Sequence, residues 1–151
     1  MNIFTVHKEK YTITTDKSKL DIAVVHDYLC NQSYWVKGIG KETLKREIDH
    51  SLCFGVFHQH TQIGFARVIT DFTSFAYLCD VFIIEAYRGK GLSKWLMQSM
   101  LDHPELQNLR RWTLYTLDAH GLYKQFGFGE SKIPERFMEK HNPDFIKNNE
   151  A

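Results

Sequence analysis

The spacing of hydrophobic and polar positions changes period several times along the chain, and each change marks an element. The stretch "KYTITT" (10–15) alternates and is rich in β-branched residues, so it reads as a first strand. Asp16 or Ser18 is then placed to cap a helix with Leu20, Ala23, Val24 and Tyr28 along one stripe. "NQSYWVKGIG" (31–40) breaks that pattern, and "KETLKREIDHS" (41–51) restores it as a second short helix with Leu44 and Ile48 on one face. "SLCFGVFH" (51–58) and "QIGFARVITD" (62–71) flank a polar turn and predict an antiparallel hairpin. "FAYLCDVFII" (75–84), after a turn at Asp71 to Ser74, is apolar except for Asp80, which predicts a strand in the sheet centre.

The second half continues the alternation of types. "LSKWLMQSMLDHPEL" (92–106) carries Leu92, Trp95, Leu96 and Met100 on one helical face, with Pro104 past its end. "RRWTLYTL" (110–117) reads as a strand. "DAHGLYKQFGFGE" (118–130) reads as a short helix with Asp118 as N-cap and Gly127 as its stop, and "FMEKH" (137–141) as a last strand. The first ten residues and "KNNEA" read as frayed ends. The predicted order is β-α-α-β-β-β-α-β-α-β, an α/β (α+β) fold with a mixed sheet and helices on both faces.

Composition narrows the function classes. A chain of 151 residues suits one domain, 1–151, and no repeat or proline-rich linker divides it. Its net charge of +1 makes no global case for nucleic acid, so any basic site is local. No apolar run is long enough to span a bilayer, and the N-terminus lacks the apolar core of a signal peptide. Cys30, Cys53 and Cys79 are isolated and odd in number, which disfavours a disulfide framework or zinc site and fits a reducing cytoplasm. His58 and His60, flanking the hairpin tip, read as solvated, with no metal expected.

Local chemistry concentrates in "YRGKGLSK" (87–94), where a glycine-rich turn joins a strand to a helix. Unpaired N–H groups of the first helical turn and the helix dipole favour an anion there. Arg88, Lys90 and Lys94 oppose that dipole unless an anionic ligand is bound. The spacing is neither that of a P-loop nor that of a dinucleotide fingerprint, since position 94 is Lys and the motif lies past the middle of the chain.

The segment Ala76 to Phe128 resembles the core of the GCN5-related N-acetyltransferase (GNAT) superfamily. The resemblance rests on Arg88-Gly89-Lys90-Gly91-Leu92-Ser93, which follows Arg/Gln-x-x-Gly-x-Gly/Ala except for Ser93. It rests also on "LCDVFII" before the turn, "RRWTLYT" after it, and "LYKQFGF", similar to the family's LY-x-x-x-GF element. The implied fold is a mostly antiparallel central sheet whose splayed centre holds acyl-CoA.

The resemblance implies that backbone amides of Gly89, Lys90, Gly91, Leu92, Ser93 and Lys94 hold the pyrophosphate of acetyl-CoA, with Arg88 at the same turn. Main-chain groups of Val81, Phe82 and Ile83 would pair with the pantetheine arm, and an N–H near Val81 or Phe82 would polarise the thioester. Tyr123 would protonate the departing thiolate; otherwise it is a core aromatic. Asp80 is the candidate base or substrate contact, or else a charge at a strand bend or one paired with Arg67 or a helix end, with a water chain as the other route for the proton. Where many members have an asparagine seven residues before the tyrosine, this chain has Thr116, and Asp118 or His120 would substitute. His120 is either a proton relay or a residue of the capping turn, and Tyr34 and Trp35 either wall the acceptor pocket or anchor the helix–helix link.

The function expected is acetyl transfer from acetyl-CoA to a primary amine by direct attack in a ternary complex, with a non-catalytic CoA-binding sensor as the alternative. A small-molecule amine is the expected partner, without nucleic acid, membrane or metal, and homodimerisation stays open. Neither the acceptor nor the general base is legible in the chain.

Overall fold

The alternating residues Tyr11–Thr14 form strand β2, with Ile13 and Thr14 buried. In the computed structural model, which describes residues 1–150, β2 pairs on both sides. One partner is Thr5–Lys8 (β1), so the opening residues are not frayed: the Phe4 N–H donates to Thr15 Oγ1 at 2.9 Å, and the Thr5 and Thr14 hydroxyls bond at 2.8 Å. The other partner is Leu52–His58 (β3), which forms the predicted hairpin with Thr61–Thr70 (β4). Phe75–Ile83 (β5) runs antiparallel to β4, and Arg111–Leu114 (β6) lies parallel to β5. The sheet runs β1-β2-β3-β4-β5-β6, so β5 is internal but only one strand from the edge.

Helices cover both faces. Ile22–Asp27 (α1) is capped by Asp21, whose Oδ1 accepts the Val24 N–H at 3.2 Å; Asp16 instead closes a 3-10 turn with Ser18. The buried side chains of this segment are Val25, Tyr28 and Leu29 rather than Ala23 and Val24, because the later cap rotates the helix and a π turn over Tyr28–Gln32 extends it. Lys41–Asp49 (α2) buries Leu44 and Ile48 as expected. These helices pack with Ile39, Phe65 and Phe82 on one face. Leu92–Leu101 (α3) buries Leu92, Leu96, Met97 and Met100 against Phe54, Ile63 and Leu78 on the other.

The chain's last third departs most from expectation. His120–Lys124 (α4) begins after Ala119, whose N–H donates to Thr116 Oγ1 at 3.0 Å, so Asp118 is not its cap. Residues 137–141 form no strand: Phe137 and Met138 are both exposed among charged neighbours, so the segment has no apolar face to bury. The tail is docked rather than frayed. Phe145–Asn148 (α5) packs against the α1–α2 cluster, and the Gly40 N–H donates to the Asn149 carbonyl at 2.7 Å. A side chain at Gly40 would stand 2.7 Å from that carbonyl oxygen. His58 is not simply solvated either, since it bonds the Tyr87 hydroxyl at 2.9 Å and stacks near Tyr11.

One irregularity shapes the sheet. Phe65 pairs with Phe82 and Arg67 with Cys79, so Asp80 and Val81 together face Ala66 in a β-bulge, with Asp80 at φ 54°. That left-handed backbone costs a non-glycine residue about 1–2 kcal/mol. Asp80 is held there by both carboxylate oxygens: Arg67 Nε donates to Oδ2 at 2.8 Å and Trp35 Nε1 to Oδ1 at 2.9 Å. Arg67 Nη1 also donates to Ser51 Oγ at 3.0 Å.

Two predictions follow from buried charge and its absence. Arg67→Ala strands the Asp80 carboxylate and should cost about 3–5 kcal/mol of unfolding free energy by denaturant titration; a loss below 1 kcal/mol would mean that the pair does not hold the bulge. His103 is buried between Phe4 and Phe54, accepts the Glu105 N–H at Nδ1, and burial lowers its pKa. The unfolded chain therefore takes the proton first, so this contribution is intact above about pH 6.5 and is lost as pH falls below it. The slope from His103 should be at most about 1.4 kcal/mol per pH unit, and His103→Leu should flatten the stability profile between pH 6.5 and 5.

Candidate active site

β5 and β6 pair only from Phe75–Arg111 to Leu78–Leu114. Beyond Leu114 the chain turns away toward α4, while β5 runs on through Cys79–Ile83 with no strand on that side. The sheet thus forks, and one edge of β5 presents backbone groups without a ladder partner. The bulge at Asp80 and Val81 sits at the root of this fork.

The loop between α1 and α2 spans the opening. Trp35 donates to Asp80 on one arm, and the Tyr34 hydroxyl accepts the Leu117 N–H at 2.8 Å on the other. The two rings meet edge to face at 5.0 Å. Asp80, 5% exposed, has both oxygens engaged, so the structure realises the pairing with Arg67 that stood beside its reading as a base. Glu47 lies 3.8 Å from Arg67, and burial raises its pKa against the opposing pull of that guanidinium. Arg67 and Glu47 also line a cleft of about 450 Å³ between α2, β4 and α5.

At the far end of β5 the glycine-rich turn is open. Gly89 and Gly91 adopt φ 78° and 77°, and a Cβ at either would meet no atom within 4 Å. The first intrahelical bond of α3 runs from Trp95 N–H to the Gly91 carbonyl, which leaves the amides of Leu92, Ser93 and Lys94 without partners within the helix. Lys90 and Lys94 are exposed beside them. A cleft of about 200 Å³ is lined by Ile83, Gly89, Gly91, Ser93, Lys94 and Leu122 among others, linking the strand end to the turn. This donor-rich, unobstructed cradle next to a bare strand edge fits a pyrophosphate joined to a narrow amide-bearing arm.

Arg88 does different work from its lysine neighbours. Its guanidinium folds back, Nε donating to the Ile83 carbonyl at 3.0 Å and Nη2 to the Tyr28 hydroxyl at 2.9 Å. Tyr28 in turn stacks on Phe82 with centroids 3.9 Å apart. The turn is thereby tied to β5 and to the π turn after α1.

Tyr123 is half-buried on α4 against Phe128, and its hydroxyl has no hydrogen-bond partner among the described residues. Burial pushes its pKa up to about 12, with Tyr34 and Asp118 adding to the shift. His120 is exposed at the start of α4. Arg67 had a usable signal: it is the single cation of its apolar strand, as Asp80 is the single anion of the next. Tyr28 and Leu117 had none, since one acts through a contact 60 residues away and the other through its backbone.

Residues 42–128 match the model of the acetyltransferase (GNAT) family. A solved structure from Xanthomonas campestris pv. campestris, assigned to GNAT acetyltransferases, is 46% identical, covering 90% of this chain and 96% of that one, with a TM-score of 0.88. A curated relative from Gibberella zeae, assigned to the acetyltransferases, is 27% identical over 75% of each chain. An acetyltransferase from Clostridium acetobutylicum solved with acetyl-CoA shares the fold at 13% identity, with a TM-score of 0.61 over 93% of this chain and 95% of that one. The forked sheet, the amide cradle and these likenesses agree: the chain belongs to the acetyltransferase (GNAT) family and is an N-acetyltransferase.

Proposed function

We propose that this chain, acting as a single domain, uses acetyl-CoA to acetylate a primary amine of a small molecule by direct attack in a ternary complex. The observation that carries the reading is the bare edge of β5 leading straight into the cradle of unpaired amides at Gly89–Lys94. The acetyl-CoA held by the Clostridium acetobutylicum protein of the same fold supports it.

When bound, acetyl-CoA supplies the acyl carbon that receives the amine nitrogen and the sulfur that leaves with a proton. The amides of Gly89, Lys90, Gly91, Leu92, Ser93 and Lys94 serve the pyrophosphate, with the Lys90 and Lys94 charges nearby. The free edge of Val81, Phe82 and Ile83 receives the pantetheine amides as a further strand would, though the Ile83 carbonyl is already engaged by Arg88. Main-chain N–H groups at the bulge, Val81 or Phe82, stabilise the developing oxyanion. Tyr123 holds its proton at Oη at any neutral pH and delivers it to the leaving sulfur. Asp80 acts as the anchor that sets the bulge and Trp35, and water removes the amine's proton.

Direct attack is favoured over a covalent acyl-enzyme because burial, and then the Asp80 charge, push the Cys79 thiol well above its usual range. The free cysteines suit a reducing cytoplasm. Among the described residues no helix is long and apolar enough to cross a membrane.

The test is thiol release from acetyl-CoA across an amine library; absence of amine-dependent release would sink the reading. Tyr123→Phe should lower kcat about 10²-fold while the Kd for acetyl-CoA stays within a factor of two, and unchanged turnover would remove Tyr123 from the mechanism. Because the Tyr123 phenol ionises only near pH 12, kcat should show no basic limb below about pH 10. Gly91→Glu puts an anion into the cradle and should weaken CoA binding more than tenfold by calorimetry, beyond the backbone strain of about 1–2 kcal/mol that a side chain meets at this positive φ. Gly91→Ala, which carries the same strain without the charge, should bind CoA more tightly than Gly91→Glu.

A further inference from the structure

The mouth of the fork is aromatic where it is not closed by ion pairs. Tyr34 is 51% exposed and Trp35 37%, although each is hydrogen-bonded to a different arm of the fork. Tyr115 and Leu117 follow β6 directly and are 59% and 74% exposed. Tyr115 packs on Tyr77 of β5 with centroids 5.8 Å apart, so it stands over the fork's root. Four large apolar side chains from two loops thus gather around one opening, whereas scattered exposed residues would need no explanation.

The charges near this opening are mostly spent. Asp80 is closed off by Arg67 and Trp35, and Glu47 stands against the same arginine. Arg88 is folded onto Ile83 and Tyr28. Asp118 is the exposed carboxylate near Tyr123. A polycationic acceptor needs several free carboxylates to repay its desolvation, and an acidic one needs a free cation. The exposed charges in the two collar loops are single ones, Asp118 next to Leu117 and Lys37 two residues after Trp35, and not a cluster of either sign. Aromatic faces, by contrast, pack an aryl ring edge to face or offset and attract one ammonium group on its way in.

We infer that the acceptor is a monoamine on an aromatic or otherwise apolar body, seated among Tyr34, Trp35, Tyr115 and Leu117 with its amine toward the fork. This rests on the acetyltransferase reading above and narrows it. The body's position against the collar places the amine at the bulge, where β5 offers its free N–H groups. The tie from Tyr34 to Leu117 holds the collar's two sides together, so the seat exists before the amine arrives.

The test compares tryptamine and 2-phenylethylamine with spermidine and trialanine on the full chain, reading thiol release and, separately, amine binding to the CoA complex by calorimetry. The arylalkylamines should show kcat/KM at least tenfold above the other two. Tyr115→Ala should raise both KM and Kd for tryptamine about five- to tenfold, leaving kcat and the Kd for acetyl-CoA unchanged, and Tyr115→Phe should restore both. Preference for spermidine or trialanine, indifference to Tyr115→Ala, or no turnover of arylalkylamines by protein that binds acetyl-CoA each overturns the inference while leaving acetyl-CoA binding in place. Failure to bind acetyl-CoA sinks the underlying reading and the inference with it.

Discussion

The ion pair between Arg67 and Asp80 is the interaction on which the active site's geometry depends. It joins adjacent strands at the one place where their register slips, and the Trp35 indole completes the carboxylate's coordination. The bulge interrupts the regular pairing of β4 and β5 at the root of the fork. It also fixes the loop that carries Tyr34. A buried pair of this kind is weak evidence for stability, since well-packed apolar residues often serve as well. Its value here is positional, because an apolar pair would pack the strands but would neither hold Asp80 in a left-handed conformation nor reach Trp35.

Much of the architecture is legible in the chain because its periods are strong. The hairpin of β3 and β4, the apolar β5, and the helices α2 and α3 all bury the faces their spacing picks out. The glycine-rich turn is equally legible, since positive φ at Gly89 and Gly91 needs glycine and the helix after it needs no side-chain cap to leave amides free. What was hidden has a common cause. Four-residue β1 is polar and exposed, and only its pairing with β2 makes it a strand. The tail docks through main-chain groups to Ile39 and Gly40, and backbone contacts leave no mark in side-chain pattern. The segment 137–141 has strand-forming residues at its start and no surface to place them on.

The site residues divide along the same line. Tyr123 and the cradle are carried by local motifs, and Leu122, next to Tyr123 in the chain, lines the same cleft as Gly89, Gly91 and Ser93. The work of Arg88 is long-range: its side chain reaches Tyr28 from 60 residues away, and Tyr28 lies flat on Phe82. Cation and dipole, which conflict at the turn when read from sequence, are partly reconciled within the protein, because the guanidinium spends itself on a carbonyl and a phenol. The two lysines remain for a ligand's charge.

A forked sheet carries a hazard that its function conceals. An unpaired strand edge is a template on which another chain can add, the first step of edge-to-edge aggregation. Cys79 to Ile83 form such an edge inside this molecule. It is guarded from both sides: Tyr34 and Trp35 rope the two arms together above it, and Arg88 occupies the last carbonyl below. The outer strand β6 is only four residues long and begins with an exposed arginine. The same loop contacts that tie the two arms of the fork thus also cover an edge on which a second polypeptide could add.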